Sequence, residues 1–181
     1  MAGRPRSEVA RHAILRAALE LCVRDGYAAV TLKGIAEAAG TGRQTLYRWW
    51  PTKAQVLLEA VAEAVGTQPP TPPDSGDPQE DLVVFLRETF ALAHGSAGRV
   101  VVGLMLDAQS DPALAAELDA RLLSPRRRAL RGVLERGAPD VDPELAVDVA
   151  FGVMCYRLLN RHAEVDAALA EDVAALIVPI R

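Results

Sequence analysis

Apolar side chains recur along this chain at intervals of three and four residues, and the pattern predicts helices from end to end. In the first, residues 7–24, Ile14, Ala18, Leu21 and Cys22 share one face, with Ser7 as the expected N-cap and Gly26 just past the end. A second helix follows Thr31 as N-cap, buries Ile35, Ala36 and Ala39, and stops at Gly40. A third covers residues 43–50 and ends at Pro51, which lacks an N–H and whose ring clashes with the preceding turn. The fourth opens on Thr52-Lys53-Ala54-Gln55, a capping box in which two side chains satisfy each other's backbone N–H groups.

The stretch 66–79 interrupts this rhythm with five prolines and no apolar anchor, and it reads as an exposed, extended connector. Beyond it, Asp77-Pro78, Asp111-Pro112 and Asp142-Pro143 each set an acceptor before a proline at the first helical position. Helices are expected over 78–94, after Ser96 as cap to about 108, 112–136 with a kink at Ser124-Pro125, 143–162, and from Asp166 to about 178. The reading is an all-α protein of about nine helices with no convincing strand.

Half of the 181 residues are apolar, enough for a sizeable core. No apolar run approaches the ~20 residues that span a bilayer, and the N-terminus lacks the apolar stretch of a secretion signal, so a cytoplasmic protein without a membrane partner is expected. Cys22 and Cys155 each sit in an apolar helical pattern and are read as buried thiols. The net charge of −4 is unevenly spread. Residues 1–53 hold nine basic and four acidic side chains, net +5, while the remainder holds eleven and twenty, net −9. A basic end on an acidic body is what a nucleic-acid-binding module attached to something else looks like.

The second and third helices are separated only by Gly40, Thr41 and Gly42, the short glycine-containing turn that a helix-turn-helix over about 31–50 requires. The third helix, RQTLYRWW, is unlike a core helix, with Leu46 as its main apolar anchor. Arg43 can fork to guanine O6 and N7, Gln44 can pair with adenine N6 and N7, and the methyl of Thr45 suits a thymine methyl. Tyr47 and Lys53 are placed toward the flanking phosphates, with Thr31 and Lys33 holding the phosphates on the other side. Trp49 is divided between packing and backbone contact, Arg48 between contact and solvation; Tyr27 and Trp50 are read as core.

The run TLKGIAEAAGTGRQTLYRWWPTKAQVLLEAV resembles the DNA-binding domain of tetracycline-repressor-type (TetR) regulators, most specifically over residues 40–53. The resemblance implies DNA contact from Lys33, Arg43, Gln44, Thr45, Tyr47, Trp49 and Lys53. It also implies a helical C-terminal domain that binds a small ligand and dimerises through its last two long helices. Three positions depart from the family pattern. Thr41-Gly42 leaves the third helix capped by Thr41 or by backbone alone, Gly34 stands mid-helix, and Trp49 replaces a more usual contacting residue. The domain division is then 1–53 for DNA binding and 54–181 for regulation and dimerisation, with the fourth helix joining them.

Residues 143–162 are apolar around much of the helix, through Val149, Gly152, Val153, Tyr156 and Leu159, and the last helix adds Val173, Leu176 and Ile177. Such a surface must be covered on more than one side. A homodimer answers that need, and two recognition helices must in any case reach major-groove faces about 34–36 Å apart on a palindromic operator. Val61, Val65, Phe85, Phe90, Leu104 and Met105 are the candidate apolar lining for an unidentified small-molecule effector, with His94 and Asp107 as polar candidates. The triplet Arg126, Arg127 and Arg128 reads as a solvated or ion-paired face.

No phosphate loop, nucleophile elbow, HExxH or CxxC spacing occurs, and His12, His94 and His162 share no local constellation. No catalytic residue, metal or cofactor is therefore expected. The expected function is sequence-specific regulation of transcription by a repressor that a small molecule releases from its operator. The alternatives are an activator, a ligand-independent repressor, or an α-helical enzyme.

Overall fold

The structure, a computed structural model, describes residues 4–66, 74–138 and 140–178. All regular structure among the described residues is helical: α1 (Arg4–Asp25), α2 (Leu32–Ala38), α3 (Arg43–Trp49), α4 (Lys53–Val65), α5 (Pro78–His94), α6 (Ser96–Ala108), α7 (Pro112–Leu118), α8 (Ser124–Gly137), α9 (Pro143–Asn160) and α10 (Ala167–Ile177). Between α7 and α8 the chain winds through a π turn, Asp119–Leu123, without a non-helical residue. Counted as one run, these segments give the nine helices that the spacing predicts. No single helix is long and apolar enough to cross a membrane among the described residues.

The aspartate-proline starts cap as expected. Asp77 accepts from the N–H groups of Gln79 and Glu80, Asp111 from Ala113 and Leu114, and Asp142 from Glu144 and Leu145, at 2.9–3.2 Å. Asp166 does the same for Leu169 at the head of α10. Each cap satisfies N–H groups that the helix itself cannot and contributes about 1 kcal/mol.

The chain divides into two compact units, 1–65 with 99–118 and 66–98 with 119–181. Helix α6 thus begins in the second unit and has its body in the first. In the first unit Ile14, Leu15, Ala18 and Cys22 of α1, Ile35 of α2, Leu46 of α3 and Val56, Leu57 and Val61 of α4 are buried, as are Val100 and Leu104 of α6. The core of the second unit gathers Leu82, Phe85, Leu86 and Phe90 of α5 with Leu130 and Leu134 of α8, Ala146, Val147 and Ala150 of α9, and Leu169, Val173 and Ile177 of α10.

Several boundaries differ from the sequence reading, each for a local reason. Helix α1 starts at Arg4, so Ser7 lies inside it rather than ahead of it. Pro5 falls in the first turn, where a missing N–H costs nothing. Helix α3 ends at Trp49, and Trp50 closes it in an extended conformation (φ −134°, ψ 105°), as the residue before a proline prefers. The irregularity expected at Ser124-Pro125 lies one turn earlier, in the π turn. The Pro125 ring would clash with the carbonyl four residues back, and the wider winding makes room for it. Helix α9 stops at Asn160 because Arg161 turns left-handed, at φ 52°. Cys22 is buried, whereas Cys155 is only half-buried; both are free thiols.

Of the proline-rich connector, residues 67–73 lie outside the described residues. Its final part is well tied. The N–H of Ser75 donates to the Asp81 carboxylate at 3.0 Å, which explains how an aspartate comes to be 6% exposed.

Candidate nucleic-acid interface

The turn between α2 and α3 is built on one backbone conformation. Gly40 sits at φ 63°, where a side chain would strain the chain, and the N–H of Thr41 reaches back to the carbonyl of Ala36 at 3.0 Å. Thr31 caps α2 by accepting from the N–H of Gly34 at 3.0 Å. Gly34 therefore stands in the first turn rather than mid-helix, and a Cβ there would lie 3.3 Å from the Thr31 hydroxyl. For α3 the choice between Thr41 and backbone falls to backbone: Gly42 is the N-cap, with no side-chain cap bond. Its carbonyl accepts from the N–H groups of Thr45 and Leu46, while the Thr41 hydroxyl is buried without a partner.

Helix α3 turns one side chain inward and most of the rest outward. Leu46 is 0% exposed, whereas Arg43, Gln44, Tyr47 and Arg48 are exposed and Thr45 and Trp49 half-buried. Thr31 and Lys33, at the head of α2, are exposed as well. Arg43 pairs across the turn with Glu37 at 2.9 Å, an ion pair open to solvent on both sides. Screening makes such a pair weak and readily exchanged for another partner.

The far end of α3 is anchored by a buried aromatic. Trp50 is 5% exposed and donates its indole N–H to Glu59 of α4 at 2.7 Å, and Trp49 meets it edge-on with ring centroids 5.5 Å apart. Glu59 also accepts from Arg11 of α1, whose guanidinium reaches Glu63 at 2.9 Å; His12 meets Glu63 at 2.7 Å. Burial alone would raise the Glu63 pKa, but His12 and Arg11 outweigh it and hold the carboxyl below its ordinary value. This polar lattice fastens α1, α4 and the end of α3 together, and a cleft of about 510 Å³ opens beside it between Glu8, Arg11, Arg48, Trp49, Trp50 and Glu59.

At the head of α4 the capping box forms: the Gln55 N–H donates to the Thr52 hydroxyl at 3.2 Å, and the Thr52 N–H to the Gln55 amide oxygen at 3.3 Å. Lys53, next in line, is half-buried. Its ammonium donates to the Tyr27 carbonyl at 3.1 Å and lies 4.6 Å from the centre of the Tyr27 ring. Sequence spacing offers no sign of this pairing of residues 26 positions apart.

The other sequence candidates are spread over both units. Val61 and Leu104 are buried in the first, with Val65 and Met105 half-buried; Phe85 and Phe90 are fully buried in the core of the second. Asp107 is half-buried and accepts from the Tyr27 hydroxyl at 2.6 Å, whereas His94 is exposed, 3.4 Å from Glu164. On α9, Gly152, Tyr156 and Leu159 are exposed and Val149 and Val153 half-buried. On α10, Leu176 is 71% exposed, while Val173 and Ile177 are taken up by the core of their own unit. Arg127 pairs with Glu144 and with Asp148 at 2.8 Å, and Arg126 donates to the Leu122 carbonyl at 3.1 Å. No cluster of His, Cys, Asp or Glu fit to hold a metal ion occurs among the described residues.

A short helix that hides one leucine and offers a guanidinium, an amide and a phenol to solvent, held behind a glycine turn, makes this a helix-turn-helix DNA-binding protein. Comparison with known proteins carries the assignment further. The family model for bacterial regulatory proteins of the tetR family matches residues 14–61, and that for the tetracyclin repressor-like C-terminal domain matches residues 72–177. The chain is 34% identical to the HTH-type transcriptional regulator YdeS of Bacillus subtilis, over 94% of its own length and 88% of that protein. It is 27% identical to the DNA-binding transcriptional repressor TetR of Mycobacteroides abscessus, with 96% of each chain covered. Its fold is similar to that of the transcriptional regulator FadR from Bacillus subtilis in complex with stearoyl-CoA, with TM-score 0.71, 22% identity and coverage of 93% of this chain and 98% of that one. The chain belongs to the tetR family of bacterial regulatory proteins, and it is a DNA-binding regulator of transcription.

Proposed function

We propose that the protein is a homodimeric repressor in the bacterial cytoplasm that occupies a palindromic operator and leaves it when a small molecule binds. The observation that carries the DNA half of this reading is the division of α3 between buried Leu46 and exposed Arg43, Gln44, Tyr47 and Arg48. In the groove, Arg43 and Gln44 take base edges and Thr45 a thymine methyl. Thr31, Lys33, Tyr47, Arg48, Trp49 and Lys53 serve the phosphates, which set register and orientation. Repression rather than enzymatic turnover is supported by the family and by the relative named as a repressor.

Dimerisation is supported by the outward apolar face of α9 and α10. Leu145 and Tyr156 are each 62% exposed, Leu176 is 71% exposed, and Leu159, Val149, Val153 and Gly152 continue the surface. Nothing lies within 4 Å of where a Cβ on Gly152 would stand, so a partner helix can approach closely there. Val173 and Ile177 support this face from beneath. The effector reading rests on the acyl-CoA bound to a protein of the same fold and on the match to the tetracyclin repressor-like C-terminal domain. A ligand acts by binding more tightly to the form whose recognition helices are spaced wrongly for successive grooves.

Selection of duplexes from a random library tests the first claim: a palindrome with half-sites about one helical turn apart is expected. Indifference to every duplex at low salt would end the DNA reading. Release of the selected duplex is then followed against long- and short-chain acyl-CoAs and free fatty acids. No change in operator affinity with any of them removes acyl-CoAs and fatty acids as inducers and leaves the repressor.

A further inference from the structure

The ammonium of Lys53 is held by Tyr27, and Tyr27 is in turn held by a helix far away in sequence. The Tyr27 ring lies directly against Gly103 of α6: a Cβ added there would come 2.1 Å from the ring's Cγ. One helical turn further along α6, on the same face, Asp107 accepts the Tyr27 hydroxyl at 2.6 Å. Tyr27, its ring pinned at base and tip, presents its backbone carbonyl and its π face to Lys53, at 3.1 Å and 4.6 Å. Burial first, then the bond to Asp107 and its charge, push the Tyr27 hydroxyl far above the ordinary tyrosine range, so it stays a donor at every working pH. All four residues belong to the first compact unit.

We propose that Gly103 and Asp107 of α6 are positioning residues for DNA binding, which act by fixing Tyr27 as the seat that holds the Lys53 ammonium ready for a phosphate. The inference rests on the reading of Lys53 as a backbone contact. A free lysine must give up the freedom of a long, flexible side chain to meet a phosphate, and a seated one has already done so. The seat uses one of three ammonium N–H groups, which leaves two for phosphate oxygens. Gly103 is required because the ring occupies the space of a side chain, and Asp107 because it accepts the hydroxyl's hydrogen bond.

The experiment measures affinity against salt for the full chain, on the duplex that the unaltered protein selects and on a scrambled duplex of equal length. Loss of one phosphate contact lowers the salt slope by about one. Lys53→Ala is expected to show that loss on both duplexes, and Gly103→Ala and Asp107→Ala to weaken binding to both duplexes at fixed salt while the slope is kept. Asp107→Asn keeps an acceptor for the hydroxyl and is expected to restore the affinity. In a Lys53→Ala background, Asp107→Ala is expected to change nothing further. Unchanged affinity for Asp107→Ala and Tyr27→Phe beside a lowered slope for Lys53→Ala overturns the seat and leaves the phosphate contact standing. An unchanged slope for Lys53→Ala overturns both. Thermal melting of each variant identifies any that fail to fold, and because the Tyr27→Phe and Asp107→Ala changes each break one hydrogen bond, the test stands if Gly103→Ala does not fold.

Discussion

Two outward surfaces of this molecule, α3 and the α9–α10 face, are both left uncovered in the single chain, yet they are held in opposite ways. Helix α3 is short and nearly all its outward groups are polar, so packing cannot place it. A left-handed glycine, a buried leucine, and an indole bonded to Glu59 fix it instead. The α9–α10 face needs none of this. Its Leu145, Tyr156, Leu159 and Leu176 project from long helices whose opposite sides, through Ala146, Val147, Ala150, Val173 and Ile177, fill a core. A polar reading surface demands scaffolding made of specific bonds; an apolar docking surface needs only side chains projecting from helices already seated in a core.

The contrast can be broken at several points. The largest effect is expected from Leu159→Asp, because a carboxylate left unpaired in an apolar contact costs several kcal/mol. Sedimentation is expected to show monomers at concentrations where the unaltered protein is a dimer, with the unfolding midpoint of the isolated chain little altered. Leu46→Ala should destabilise the first unit by about 2–5 kcal/mol, since it deletes the sole fully buried side chain of α3; urea unfolding followed by tryptophan fluorescence reports it. Arg43→Ala and Gln44→Ala should each leave folding intact and relax discrimination at one base pair per half-site by about 1–3 kcal/mol. Equal weakening on all sequences would move these residues to the backbone.

Smaller effects sharpen the comparison. Asp142→Ala removes the acceptor for two N–H groups at the head of α9 and should cost about 1 kcal/mol of stability in denaturant. The Glu63 carboxyl, lowered in the folded state by His12 and Arg11, stabilises the fold above its unfolded pKa, and that contribution fades as pH falls through the folded value. Glu63→Gln is expected to flatten the acid limb of the stability–pH curve. An unchanged limb would show that the α1–α4 lattice contributes nothing through this group.

Much of the reading surface was legible because its signals are local. Gly40, the Thr52–Gln55 box and the outward bias of residues 43–48 each declare themselves within a few positions. The scaffolding behind them was not. Trp50 is an evident core residue, but its partner Glu59 lies nine residues on, and Arg11 reaches the same carboxylate from another helix. Tyr27 was expected in the core, yet nothing in its surroundings in sequence points to Asp107, 80 residues away. Periodicity likewise marked α10 as apolar without separating Val173 and Ile177, which face their own core, from Leu176, which does not. A helix apolar on two sides hides which side is inward. The π turn escaped for a related reason: Pro125 announces a disturbance, but the cost falls on the carbonyl before it, so the winding changes upstream.

The arrangement of α6 has a consequence for anyone wishing to shorten this protein. A polypeptide stopped after Val65 would include the whole helix-turn-helix, and it would still be missing Val100, Leu104, Leu114 and Leu118, all of them 0–5% exposed within the same unit. The reader of DNA is closed by a strip of chain translated more than thirty residues later. Clipped free at that point, it would bare an oily flank and cling to its neighbours.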